Sequence, residues 1–338
     1  MKNTGIPAAR VRQILEAAKQ TRVLVVGDAM LDHFVWGRVM RISPEAPVPV
    51  VDFERESFIP GGAANVARNL AALHVPTELF GAIGRDTTAS QLVQLLKTHR
   101  IGCDGLLAFD SRATSVKMRV VAHQQQIVRL DRETRGGLDD GETDRLLAAL
   151  DHQLPGAAAV IIGDYGKGTI TQRLLDEVKA RCRQHGVWLS LDPKPVHRLD
   201  LQGLSLITPN RKEAFELAEL EDETRAADPL ADENLMKVVE RLLQKLRPVL
   251  LLVTLGEQGM LLCRAGEKPF HIPTQAQEVF DVSGAGDTVI ATFTLAIAGG
   301  ASPLEAAIIS NHAAGIVVGK VGTAVTTTEE LLASFAKQ

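Results

Sequence analysis

The chain predicts an α/β fold: a mostly parallel sheet, helices on both of its faces, and a small β-rich projection. Three observations carry this. Five short runs, 22–27 (RVLVVG), 160–163 (VIIG), 187–191 (VWLSL), 204–208 (LSLIT) and 249–254 (VLLLVT), are apolar along their length; strands covered on both faces read this way, whereas half-exposed strands alternate. Helical patterns lie between them, for example at 65–73, 170–185 and 233–246. Strands alternating with helices give an α/β sheet whose ligands gather at the carboxyl ends of the strands. Two stretches break the rhythm. Residues 34–54 carry three prolines and mixed aromatics, and 113–131 reads as two strands joined at a polar turn, 122–125. Together they predict a small β-sheet, a lid over a cleft.

Composition narrows the function. The 338 residues are 45% hydrophobic and 23% charged, enough for a large core, and are read as one domain, 1–338. With 37 Lys+Arg against 41 Asp+Glu the net charge is −4, and no basic surface for nucleic acid is expected. Cys103, Cys182 and Cys263 are scattered, with neither metal-binding spacing nor an even disulfide set, which suits a reducing compartment. No signal-peptide core opens the chain, and the apolar run 288–298 is too short to cross a bilayer. A soluble, cytoplasmic protein with no membrane partner is expected. The histidines form no cluster, and neither a Walker loop nor a dinucleotide fingerprint is present.

The chemistry-bearing residues fall at strand ends. Asp28 and Asp32 follow the first strand and can bond sugar hydroxyls or cap a turn. Gly61, Gly62 and Asn65 open a helix, where the glycines allow close approach and Asn65 can face a polyol. Asp164 and Lys167 lie in GDYGKG, and Lys194 in DPK. Asn210 and Glu213 sit three apart at a helix start, as a capping pair or as holders of water around Mg²⁺. Thr254, Gly256 and Gly259 form a turn that suits a nucleotide or a plain hairpin. The most informative stretch is 281–288, DVSGAGDT. Gly284, Ala285 and Gly286 let a backbone approach an anion at a helix N-terminus, where unpaired N–H groups and the dipole favour negative charge. Asp287 beside that nest can accept a proton from a hydroxyl attacking a phosphoryl group.

DVSGAGDT, the segment GGAANVA at 61–67, and Asn210 with Glu213, in this order, resemble the signatures of the ribokinase-like (PfkB-type) carbohydrate kinases over nearly the whole chain. The resemblance implies a three-layer α/β/α domain with a protruding β-lid. It also implies Asp287 as base, the Gly284–Gly286 backbone at the transferring phosphoryl group, and Mg²⁺ held largely through water by Glu213, with Asn210 and Asp164 as further candidates. ATP is then expected near Lys194, Thr254, Gly256, Gly259, Asn311 and Gly322. The sugar is expected among Asp28, Asp32, Gly61, Gly62, Asn65, Asp164 and the lid. Asp281 matches a K⁺-linked position in some relatives, and the lid implies a homodimer. The segments 25–51, GDYGKG, DPK and TPNRKE are similar to members that phosphorylate D-glycero-β-D-manno-heptose 7-phosphate. Its phosphate needs a cation, with Arg41, Lys117, Arg119, Arg129 and Lys167 as candidates. Bifunctional relatives carry a second, adenylyltransferase domain; with the chain ending at Gln338, a separate adenylyltransferase and a bisphosphate phosphatase are the expected pathway partners. The alternatives are another sugar or nucleoside kinase of the family, and a non-catalytic sugar or nucleotide sensor.

Overall fold

The apolar runs form the centre of the molecule. The computed structural model describes residues 5–123, 125–276 and 278–336, so one residue of the expected 122–125 turn and the ends of the 1–338 span lie outside it. In chain order the elements begin α1 (Ala8–Ala18), β1 (Val23–Gly27), β2 (Ala29–Ile42), β3 (Pro49–Gly62), α2 (Ala63–Ala72), β4 (Thr77–Gly84) and α3 (Thr87–Thr98). Then come β5 (Leu106–Phe109), β6 (Ser115–Ala122), β7 (Gln125–Arg132), α4 (Asp140–Gln153), β8 (Ala159–Gly163), α5 (Gln172–His185), β9 (Trp188–Asp192) and β10 (Leu206–Ile207). The chain continues with α6 (Arg211–Ala218), α7 (Glu233–Leu246), β11 (Leu250–Thr254), β12 (Met260–Cys263), β13 (Phe270–Ile272), α8 (Ala285–Ala298), α9 (Pro303–Val318) and α10 (Thr328–Ala336).

The main sheet runs β13-β12-β11-β10-β9-β8-β1-β4-β5. Its pairings from β11 to β5 are parallel, and β12 and β13 add an antiparallel edge. Successive side chains of a strand point to opposite faces. Val23, Val25, Ile161 and Leu252 therefore join one core with α1, α2, α8 and α9, while Leu24, Val26, Ile162 and Val253 join a second core with α4, α5 and α7. This is the expected three-layer arrangement, and it sets the carboxyl ends of β1, β8, β9, β10 and β11 side by side.

A separate sheet, β3-β2-β6-β7, forms the lid. Its strands begin before the expected boundary. β2 starts at Ala29 and β3 runs to Gly62, so Asp32 lies within a lid strand and not in a loop. The reason is local: Ala29, Met30 and Leu31 are buried beneath the lid's base, and their pairing with Gly62, Gly61 and Pro60 continues the ladder into the body. No helix among the described residues is long and apolar enough to cross a membrane.

Candidate active site

Helix α8 begins at Ala285, and Gly284 caps it with φ 79°. That left-handed backbone favours glycine. A Cβ there would stand 2.8 Å from Asn65 Nδ2 and 2.9 Å from Thr323 Cγ2. The N–H of Ala285 is turned onto Val282 O at 3.2 Å, so that member of the expected donor trio is engaged within its own loop. Thr288 Oγ1 donates to Asn69 Oδ1 at 2.9 Å and ties the first turn of α8 to α2.

Asp287 stands in that turn, buried. Asn65 Nδ2 donates to its Oδ2 at 2.7 Å, and Tyr165 Oη donates to its Oδ1. Burial pushes the Asp287 carboxyl up to about 6; the two hydrogen bonds and Lys117 hold it down, and Asp32 adds to the rise. A carboxylate ionised at neutral pH yet less acidic than usual is suited to accept a hydroxyl proton. Asn65 is fully buried in α2, so its amide has no better use than this carboxylate.

Tyr165 belongs to the loop after β8. Asp28 organises that loop, accepting the N–H groups of Tyr165 (2.9 Å), Lys167 (2.9 Å) and Thr169 (2.8 Å). Asp28 was expected to meet sugar hydroxyls; its carboxylate is instead spent on backbone donors, and its role here is to position the loop. Asp164 likewise faces His197 Nδ1 (3.0 Å) and the Gly166 N–H (3.1 Å). Burial pushes the Asp164 carboxyl up to about 6 against the pull of His197. The Lys167 ammonium pairs with Glu133.

On the lid, Arg119 Nη1 lies 2.5 Å from Asp32 Oδ1. Parallel pairing of β2 and β6 sets Asp32 beside Lys117, and antiparallel pairing of β6 and β7 sets Arg119 beside Arg129. Burial lowers the Lys117 ammonium's pKa; Asp32 opposes this, while Lys167, Arg119 and Arg129 add to it. Arg119 thus pairs with Asp32, Arg129 with Asp131 and Lys167 with Glu133, and all three cations lie within electrostatic range of Lys117. Arg41 is not among them: it lies nine positions beyond Asp32 along β2, about 30 Å at ~3.3 Å per residue.

On the other side of α8 opens a cavity of about 430 Å³, lined by Thr254, Gly256, Gly259, Asn311, Gly286 and Val318 among others. Four residues expected at ATP therefore share one slot. Its walls also include Met260, Val279, Val282 and Ala314, which the sequence reading missed. Asn311, Ala314, Gly315 and Val318 lie on one face of α9 by their i, i+3, i+4, i+7 spacing, and that spacing was available as a signal. Gly259 has φ 84°, and a Cβ there would meet the backbone of Pro273 and Thr274. The stretch 254–260 is thus both the plain hairpin and a wall of the slot. Gly322 lies outside the lining, in the loop whose Thr323 abuts Gly284.

Asn210 and Glu213 form the reciprocal capping box of α6, each side chain meeting the other's backbone N–H at 3.0 Å. Glu213 Oε1 faces Lys194 Nζ at 3.8 Å. Asp192, to which the sequence reading gave no role, ends β9 with Oδ1 accepting from Thr208 Oγ1 at 3.0 Å. Burial and the facing charges of Glu213 and Asp287 push its carboxyl well above the ordinary range. Among the described residues no group of three His, Cys, Asp or Glu side chains is arranged to hold a metal directly. Asp281 accepts from the Ser283 N–H at 2.8 Å, closing a turn.

Residues 20–330 match the pfkB family of carbohydrate kinases. The chain belongs to this family. The kinase is therefore a phosphotransferase with an alcohol group as acceptor. It is similar to proteins named "Bifunctional protein HldE". The one from Desulfatibacillum aliphaticivorans is 41% identical over 94% of this chain and 63% of its own length. The one from Haemophilus influenzae is 42% identical over 93% of this chain and 63% of its own length. The chain thus spans somewhat under two thirds of these curated relatives. Its fold is that of Arabidopsis thaliana ribokinase complexed with ribose and ATP (TM-score 0.72, 21% identity, 93% of this chain and 98% of that one). It is also that of Escherichia coli phosphofructokinase-2 in complex with substrates and products (TM-score 0.77, 20% identity, 94% and 99%). The expected ribokinase-like architecture is the observed one.

Proposed function

We propose that the kinase transfers the γ-phosphoryl group of ATP to the anomeric hydroxyl of D-glycero-β-D-manno-heptose 7-phosphate, giving the 1,7-bisphosphate and ADP. The observation that carries this reading is the position of Asp287, with an apolar slot on one side of its helix turn and the charged base of the lid on the other. The slot takes the nucleotide, and the sugar lies between Asp287 and the lid. Asp287 receives the hydroxyl proton as the sugar oxygen bonds to the γ-phosphorus and the bond to the β-phosphate oxygen breaks. The N-terminal turn of α8 faces the charge on the transferring group.

The donor set suits Mg²⁺. Asp192 lies within electrostatic range of both Glu213 and Asp287, with Lys194 opposite Glu213. A hydrated divalent ion relieves that repulsion, and Mg²⁺ keeps several waters. Glu213 and Asp192 would hold it, largely through water, and it would supply positive charge to the nucleotide phosphates. K⁺ near Asp281 is a subordinate expectation, supported if K⁺ and not Na⁺ stimulates turnover.

Lys117, with Arg119, Lys167 and Arg129 near it, supplies the anchor for the 7-phosphate, because a desolvated ammonium among further cations binds a phosphate where one exposed lysine would not. A reaction sequence through this product then needs a phosphatase for the 7-phosphate and an adenylyltransferase for the 1-phosphate. Such a kinase works in the cytoplasm, where ATP and sugar phosphates meet. The lid's exposed Met40, Ile42, Phe53 and Leu130 support a homodimer through that sheet, checked by sedimentation. The deciding experiment incubates the enzyme with ATP, Mg²⁺ and heptose 7-phosphate. A new anomeric phosphate in ³¹P NMR is expected; ADP formation with another sugar of a panel, and none with this one, overturns the substrate.

A further inference from the structure

We propose that Tyr165 gates the base: its phenol holds the place on Asp287 that the acceptor hydroxyl must take, and the arriving sugar displaces it. The proposal rests on the reading of Asp287 as the base.

The chain has a single tyrosine, and it is placed with care. Its hydroxyl donates to Asp287 Oδ1 while Asn65 Nδ2 donates to Oδ2 at 2.7 Å. With a donor on each oxygen, each carboxylate oxygen already accepts one hydrogen bond before any acceptor arrives, and Tyr165 takes the one on Oδ1. The ring lies against two glycines: a Cβ on Gly163 would stand 3.0 Å from Tyr165 Cε2, and one on Gly62 would stand 3.3 Å from Cδ2. A side chain at either position would press on the ring. The backbone beneath is pinned by Asp28 through the N–H groups of Tyr165, Lys167 and Thr169, which leaves the side-chain torsions as the free motion.

This arrangement bears on a hazard any kinase faces. Water can attack the γ-phosphorus in place of the sugar, giving ADP and inorganic phosphate and delivering its proton to the same base. Water is small and brings few contacts to offset the lost Tyr165–Asp287 hydrogen bond. A phosphorylated polyol brings several hydroxyls and a phosphate for Lys117 and Arg119. Tyr165 therefore favours the sugar over water as acceptor, acting as a specificity-determining residue of the phosphoryl transfer.

The test compares wild type, Tyr165→Phe and Asp287→Asn with ATP-Mg²⁺ and no sugar. Tyr165→Phe keeps the ring on its glycine bed and removes only the donor. ADP release without sugar is expected to rise about tenfold, the scale of a hydrogen bond to a charged group. Release no faster than wild type overturns the gate. Asp287→Asn separates the two ideas: if it keeps normal turnover with sugar, the base assignment fails. If it is inactive while Tyr165→Phe hydrolyses ATP no faster than wild type, only the gate fails. A second measurement uses the unmodified sequence. With ¹³Cζ-labelled tyrosine the protein gives one ring resonance, and heptose 7-phosphate alone is expected to move it toward the position of free tyrosine. A resonance unmoved at saturating sugar overturns the proposal.

Discussion

Replacing Asp287 by Asn should make the kinase inactive and, at neutral pH, more stable. Burial raises this carboxyl from the ordinary 3.8 to about 6. At about 1.36 kcal/mol per tenfold change in acidity, holding it ionised costs the fold about 3 kcal/mol. An amide keeps the shape and removes the charge. Asn65 Nδ2 can still donate to the remaining carbonyl, and the new NH₂ can donate to the Tyr165 hydroxyl oxygen, so about 1 kcal/mol is lost in weaker hydrogen bonds. The net gain is about 2 kcal/mol, and with about 2.1 cal/mol/K per residue of unfolding entropy this is a rise of about 3 °C in Tm. The sign with pH follows from the folded pKa lying above the unfolded one. The native state holds its proton longer, so the wild type gains stability from Asp287 at low pH and loses it as pH rises through about 6. By pH 5 the wild type has recovered about 1.4 kcal/mol, and the gap in Tm should shrink to about 1 °C. Differential scanning calorimetry of both proteins from pH 5 to 8, with a coupled ADP assay, tests this. A variant that melts below wild type at pH 7.5, or a gap that does not close on acidification, refutes burial as the cause of the raised pKa.

Three further outcomes are expected. In wild type, kcat/KM should fall as pH drops through about 6, because protonated Asp287 cannot accept the sugar's proton; a kcat/KM profile flat to pH 5 counts against the base assignment. Gly284→Ala forces an L-residue to φ 79° and drives its Cβ against Asn65, costing about 1–2 kcal/mol of stability and at least about tenfold in kcat; a urea midpoint and turnover equal to wild type contradict this. Lys117→Met should raise KM for heptose 7-phosphate by about tenfold or more with KM for ATP within about twofold, since it removes a cation from the phosphate cluster, while the Asp287 carboxyl that Lys117 helps hold down rises further; equal changes in both constants place Lys117 elsewhere.

Much of the site was legible because its parts are local in sequence. DVSGAGDT shows nest and base together, since a glycine cap and the first-turn carboxylate are three residues apart on one helix start. Asn210 and Glu213 were read as either a capping box or a metal holder, and the box is present with Glu213 Oε1 still facing Lys194. What local reading missed is pairing at long range. Tyr165 meets Asp287 from 122 positions away, and Asp28 meets the 165–169 loop from 137 or more. An Asp after a strand looks the same whether it awaits a ligand or holds a loop; only the position of the backbone donors decides. The lid boundary failed for a related reason. Residues 29–31 are apolar under either reading, and their membership in the lid depends on the partner strand ending at Gly61 and Gly62.

The sequence alone determined the layered α/β architecture, because runs apolar along their length can only be buried on both faces, and it placed a helix start with a first-turn carboxylate at 284–287, because a glycine cap precedes a buried apolar run. The tertiary structure decided who stands around Asp287. It brought Asn65 and Tyr165 onto the two carboxylate oxygens, turned Asp28 and Asp164 to structural work, and gathered Lys117, Arg119, Arg129 and Lys167 at one place while leaving Arg41 far along the lid. Burial and charge act through space, and the distances that set them exist only once the strands have paired.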